Sequence, residues 1–159
     1  MWGARTSETI EQRLGDPPDS RLLIIEGEDL GMAHSVDDAT FKALQKGWIT
    51  SASILVPAPW FPEVVAWARN HPDADLGVQF DLNSDWTTYR WRPVSPQPAH
   101  STLEDSAGYL PLSEMYVLQH ANPQAAAKEV EAQMQLALRA GIHPTHLDNH
   151  MGAMMLPGC

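Results

Sequence analysis

The hydrophobic positions of this chain switch between two rhythms. Arg21-Leu22-Leu23-Ile24-Ile25 is nearly all apolar, and a short continuous run of that kind predicts a strand covered on both faces. Glu26 to Gly31 follows as a polar loop at its C-terminal end. Helical spacing takes over from Val36 to about Lys46, with Ala39, Ala43 and Leu44 predicted inward. Ser35 and Asp38 resemble a capping box, and Gly47 suits the position after the helix. Trp48 to Val56 predicts a second strand, ended by Pro57 and Pro59. Pro62 opens a helix reaching about Asn70, with Pro72 beyond its end. Asp75 to Leu82 predicts a third strand. Asn122 and Pro123 open a long helix to about Ala140, with Val130, Met134, Ala137 and Leu138 on one stripe and Gly141 as its stop. His143 to His150 reads as the fourth strand with its end loop.

Two stretches break the rhythm. Residues 7–14 allow a short helix with Ile10 and Leu14 at i, i+4 spacing, stopped by Gly15 to Ser20, so residues 1–20 read as an N-terminal helix and linker ahead of a domain at 21–159. Residues 83–121 carry Pro93, Pro96, Pro98 and Pro111 with Trp86, Tyr89, Trp91 and Tyr109 between them. A connection that long is usually a functional loop or lid. Trp86, Tyr89 and Trp91 would either stack on the flat face of a ligand or anchor the loop, and Trp48, Trp60 and Trp67 read as packing residues.

The order β-α-β-α-β-loop-α-β predicts an α/β fold with a parallel sheet. Polar residues gather after the first strand and late in the third and fourth, where parallel α/β folds bind ligands. The chain has 159 residues, a net charge of -10 and a pI of about 4.9. That charge repels a phosphate backbone, so no nucleic-acid partner is expected. Cys159 is the single cysteine, which excludes an internal disulfide. No run approaches the roughly 18 apolar residues of a membrane span, and Met1 to Asp19 lacks the apolar core of a secretory signal. The expected location is cytoplasmic.

The densest chemistry is Thr145-His146-Leu147-Asp148-Asn149-His150. On a strand, His146, Asp148 and His150 share one face. With Glu26-Gly27-Glu28-Asp29 upstream, they suggest a mononuclear metal site assembled from separate strand ends, the kind that performs hydrolysis.

Four segments carry a resemblance to a known family. Leu22 to Met32, Gly47 to Ser53, Asp75 to Leu82 and Pro144 to Gly152 resemble, in order, the motifs of the YdjC-like carbohydrate deacetylases. The resemblance implies a partial (β/α) barrel with parallel strands, roughly the first four βα units. It implies removal of the N-acetyl group from amino sugars of the chito-oligosaccharide type, with one divalent metal (Mg or Zn). Asp29 matches a ligand carboxylate and His150 the last ligand histidine, while His146 and Asp148 match neighbouring catalytic or orienting positions. Two positions depart. Glu28 stands where the family has its base Asp, one methylene longer. Gln79 stands where the family has a ligand His, and its neutral amide oxygen is a weaker donor. Zn²⁺ would be left with two strong ligands, whereas Mg²⁺ keeps several waters and tolerates such a site. Asp81, two residues on, would supply a substitute carboxylate. A closed barrel takes about 250 residues, so strand edges are left uncovered, and three explanations stand side by side: pairing with a second copy as a homodimer, a different cover for the open edge, or a truncated gene product. The alternative to a deacetylase is a non-catalytic relative acting as a sugar-binding or interaction module.

Overall fold

A computed structural model describes residues 8–96 and 101–155. Ser7, Pro98 and Cys159 lie outside the described residues. Four parallel strands form one open sheet in the order β1-β2-β3-β4. The strands are β1 (Glu26–Leu30), β2 (Ser51–Leu55), β3 (Leu76–Phe80) and β4 (Leu147–Asn149). The helices are α1 (Ile10–Arg13), α2 (His34–Gln45), α3 (Phe61–Ala68), α4 (Glu114–His120) and α5 (Pro123–Ala140), and a 3-10 segment, His150–Met155, follows β4.

One face of the sheet forms the main core. Ala52, Ile54, Leu76, Val78 and Phe80 project into a buried cluster with Phe41 of α2, Phe61, Val64 and Val65 of α3, and Ala137 of α5. Each large aliphatic or aromatic side chain buried there contributes about 1.5–3 kcal/mol. That shared burial drives α2, α3 and α5 onto one side. α5 begins at Asn122, whose side chain accepts from the backbone N–H groups of Gln124 and Ala125, and ends on Gly141 at φ 90. The left-handed stop is the reason for glycine there.

Several expectations are corrected. Leu22 to Ile25 is not a covered strand: Leu23 is 74% and Ile24 78% exposed. The first strand lies one segment later, because β1 pairs only with β2 and that pairing begins at Glu26 opposite Ser51. Upstream, only Ile25 is tied to the second strand, by bonds with Thr50. The capping box at Ser35 is absent. The N-cap of α2 is Ala33, without a side-chain cap, and Asp38 pairs with Lys42 at 2.6 Å instead. Its inward residues are Asp37, Thr40 and Phe41, and Ala39 is exposed. The short N-terminal helix is a single turn capped by Thr9, with Ile10 and Leu14 both exposed. The long connection contains α4, which its prolines concealed. β4 has 3 residues, inside the 143–150 segment expected to hold the strand and its end loop.

Candidate functional site

The opposite face of the sheet is polar. Strand alternation decides this face, and Gly27 fixes the phase of β1. A Cβ there would meet Ile49 Cδ1 at 3.0 Å and Thr40 Cγ2 at 3.2 Å on the helix side. Glu26 and Glu28 therefore point the other way. Ser53 Oγ donates to Asp148 Oδ2 at 3.1 Å across the same face. Gly77 provides a notch for His146: an added Cβ would lie 2.3 Å from the imidazole. His146 Nε2 reaches Glu26 Oε1 at 2.7 Å, and the Thr145 hydroxyl donates to Asp75 beside it.

The carboxyl ends of β1, β3 and β4 meet above these pairs. Asp29 has φ 61, a conformation uncommon for a residue with a side chain. Its N–H donates to Gln79 Oε1 at 3.2 Å, which ties this left-handed residue to the third strand. Asp29 Oδ1 lies 3.2 Å from His150 Nδ1, at ion-pair distance but without hydrogen-bond alignment. The other ring nitrogen, Nε2, lies 3.1 Å from Asp85 Oδ1. His150 is 5% exposed, and Met151 and Gly152, at φ 51 and 70, turn the chain away after it. Burial pushes the imidazolium pKa down, but the carboxylates of Asp29, Asp81 and Asp85 outweigh it and lift it to about 9. Glu28 is raised as well, by desolvation first and then by Asp148, Asp29 and Glu26.

Asp29, Gln79 and His150 are thus linked by contacts through Asp29. His146 and Asp148 lie on the same face but lower, each engaged with another partner. Among the described residues, no group of three His, Cys, Asp or Glu side chains is arranged to hold a metal ion. Two such donors face each other, Asp29 Oδ1 and His150 Nδ1. Asp29 Oδ1 is a buried carboxylate oxygen without a hydrogen bond among the described residues, and an orphaned buried acceptor of this kind suits a cation. Of the two donors, the Asp29 carboxylate suits Mg²⁺, which keeps several waters, whereas the His150 imidazole suits Zn²⁺.

Asp81 does not stand in for the absent histidine. It is fully buried, Oδ2 accepts from Trp91 Nε1 at 2.6 Å and Oδ1 from Asn83 N at 2.9 Å. Burial pushes its pKa up to about 7. The carboxylate on the Nε2 side of His150 is Asp85, which sequence reasoning missed. Asp85 sits in an irregular segment, so no periodicity marks it; its one signal is its place soon after the third strand.

That segment is held by α5. Glu129 and Gln133 are completely buried on the helix face that the apolar stripe left out. Glu129 Oε1 accepts from Val94 N, and Oε2 accepts from Ser95 N, both at 2.8 Å. Gln133 Oε1 accepts from Asp81 N at 3.0 Å and its Nε2 donates to Asp81 O at 2.6 Å. Buried polar groups are kept where every donor finds an acceptor, and here they clamp the backbone leading to Asp85. Trp91 is 3% exposed and anchors the loop, whereas Trp60 and Trp48, expected to pack, are 41% and 69% exposed.

Comparison with known proteins adds the family context. A family model described as YdjC-like protein matches residues 22–159. A carbohydrate deacetylase of Thermus thermophilus is 35% identical over 137 residues, covering 86% of this chain and 46% of that protein. A carbohydrate deacetylase of Enterococcus faecalis is 28% identical, covering 82% of this chain and 48% of that protein. A solved structure of a candidate cellobiose-phosphate cleavage protein from Enterococcus faecalis superposes with a TM-score of 0.70 at 27% identity, over 80% of this chain and 47% of that one. The chain therefore spans about half the length of the relatives it matches.

Proposed function

This chain belongs to the YdjC-like protein family, and we propose that it carries the metal-binding half of a carbohydrate deacetylase site acting on N-acetylated amino sugars. The observation that carries this reading is the 3.2 Å approach of Asp29 Oδ1 and His150 Nδ1 at the carboxyl ends of their strands. The carbohydrate deacetylases at 35% and 28% identity support the substrate class.

Asp29 and His150 would hold the divalent ion, with Gln79 bracing Asp29 through its backbone rather than serving as a strong donor. When bound, such an ion polarises the amide carbonyl and lowers the pKa of a coordinated water. Asp85 holds the Nε2 side of His150, which leaves Nδ1 directed at Asp29; carboxylates behind ligand imidazoles fix the ring in this way. Glu28 stands on the same polar face, and its raised pKa brings its carboxylate nearer to neutral pH as a general base. Asp148, held by Ser53, would orient rather than react. His146, paired with Glu26, sits deeper in the same face.

The test is calorimetric titration with Mg²⁺ and Zn²⁺, paired with acetate release from an N-acetylated chito-oligosaccharide. Binding that disappears in Asp29→Ala, with acetate release lost in parallel, is the expected result. A wild-type protein that takes up neither ion would sink the metal reading. Metal uptake without acetate release would favour the alternative, a sugar-binding relative without catalysis.

A further inference from the structure

Asp29 leads from β1 into a turn whose backbone is tied to three other segments. Gly31, two residues on, sits at φ 97, and a Cβ there would stand 3.2 Å from Leu55 O and 3.5 Å from the Phe61 backbone. The turn therefore lies directly against the end of β2 and the start of α3. Trp60 N donates to Gly31 O at 2.9 Å, and Met32 N donates back to Asp29 O at 3.0 Å. The Tyr89 hydroxyl donates to Met32 O at 2.7 Å. The Gly31 N–H donates to Asp37 Oδ1 at 2.6 Å.

Asp37 is a costly acceptor to keep. It stands in the first turn of α2 and is completely buried, on the inward face with Thr40 and Phe41. Its Oδ2 has no hydrogen bond among the described residues. Burial pushes the carboxyl up to about 6, the Gly31 N–H draws it back, and neighbouring Glu63 pushes it up again. Glu63 Oε1 pairs in turn with His34 Nδ1 at 2.9 Å. A buried carboxylate with an unpaired oxygen weakens a fold, and packing alone would be served by an apolar residue at this position. What the carboxylate does supply is a short, charge-assisted bond to a backbone N–H. That bond lies two residues from Asp29, whose φ of 61 is unfavourable for a residue with a side chain and persists only where the surroundings hold it.

Resting on the metal reading of Asp29, we propose that Asp37 is a positioning residue, whose bond to the Gly31 N–H holds the turn in which Asp29 presents Oδ1 to His150 and to a divalent ion. Gln79 secures the Asp29 N–H from β3, and Asp37 secures the chain two residues later from α2. Leu30, between them, is sunk in the core. Pinned at both ends, the segment cannot rotate the Asp29 carboxylate away from His150. Asp37 acts through the backbone, as an acceptor, and not as a donor to the ion.

The full chain would be compared with Asp37→Ala, Asp37→Asn and Ile142→Ala, the last cutting a buried core residue just after α5. Two quantities are read in each: affinity for Mg²⁺ and Zn²⁺ by calorimetry, and, without metal, the NOE between the amide and α protons of Asp29, which is strong in a left-handed residue. Asp37→Ala is expected to weaken metal binding about 10–100-fold, the usual loss when support behind a ligand is removed, and to lose the strong NOE. Asp37→Asn keeps an acceptor for Gly31 and is expected to retain both. Ile142→Ala is expected to melt lower and still retain both, which separates positioning from general loss of stability. If Asp37→Ala does not fold, Asp37→Leu, which fills the space without an acceptor, gives the same two readings. Unchanged affinity and NOE in the variant lacking the acceptor would overturn the proposal, as would an equal loss in Ile142→Ala or in Asp37→Asn. A wild-type chain that binds neither ion would remove the metal reading, and the NOE alone would then decide whether Asp37 sets the turn.

Discussion

The two faces of this sheet alternate residue by residue along the same strands, yet they serve opposite ends. On one face, Ala52, Ile54, Leu76, Val78 and Phe80 sink into a dry core under three helices. On the other, Ser53, Gly77 and Gln79 from the same two strands face Asp148, His146 and Asp29. The apolar face holds the fold by burial, which is indifferent to exact geometry within limits. The polar face depends on individual pairs, so each residue there matters through one partner. A parallel sheet is normally covered on both faces by apolar layers, and a polar second face is what a ligand site requires.

Charge placed on the two faces separates them most sharply. Val78→Asp puts a carboxylate into the fully buried cluster, and the expected result is loss of the cooperative unfolding transition, a cost of more than about 4 kcal/mol. A folded Val78→Asp protein in thermal denaturation would mean that this face is not the core.

On the polar face, the sharpest steric test is Gly77→Ala. Its methyl would stand 2.3–2.8 Å from three imidazole atoms of His146, so the ring must leave its notch and its contact with Glu26. A destabilisation of about 1–3 kcal/mol is expected from such overpacking, measured by urea denaturation. In His146→Ala the same substitution should become nearly neutral; persistence of the full cost would deny the notch its purpose.

These two substitutions also mark how much the chain reveals before it folds. The third strand and α5 were legible because each has its own period and stops, Leu76–Phe80 falling inside the expected 75–82 and Asn122 and Gly141 closing the helix. The apolar face follows from that periodicity. The first strand was misplaced because Leu22 to Ile25 has every local mark of a buried strand but only Ile25 has a neighbour to pair with. Pairing is a tertiary fact, and hydrophobicity alone does not encode it. At the site, Asp29, Gln79 and His150 were singled out by the resemblance to the deacetylase family, position by position. Asp85 was not, since its meaning comes from a ring 65 residues away. Glu129 and Gln133 looked like the wet side of a helix, because a buried polar residue is invisible until its partners are known.

A graded effect, without loss of the fold, is expected in the pH dependence of stability above neutrality, where His150 on the polar face titrates. The His150 pKa is raised from 6.5 to about 9. Its contribution to stability is fully present below pH 6.5 and is lost as pH rises through 9. Asp81, raised from 3.8 to about 7, acts in the same direction over a lower window. Melting temperature in a chelating buffer should therefore decline between pH 6.5 and 9, and His150→Asn should flatten that decline. An unchanged slope in the variant would show that the clamp between Asp29 and Asp85 does not govern it.

The bond from the Asp29 N–H to Gln79 couples the two positions. It supports a residue at φ 61, so a change at position 79 alters the foundation under position 29 as well as the donor set. Substitutions at the two positions are then expected to be coupled: Gln79→His would remove the acceptor that supports the Asp29 backbone.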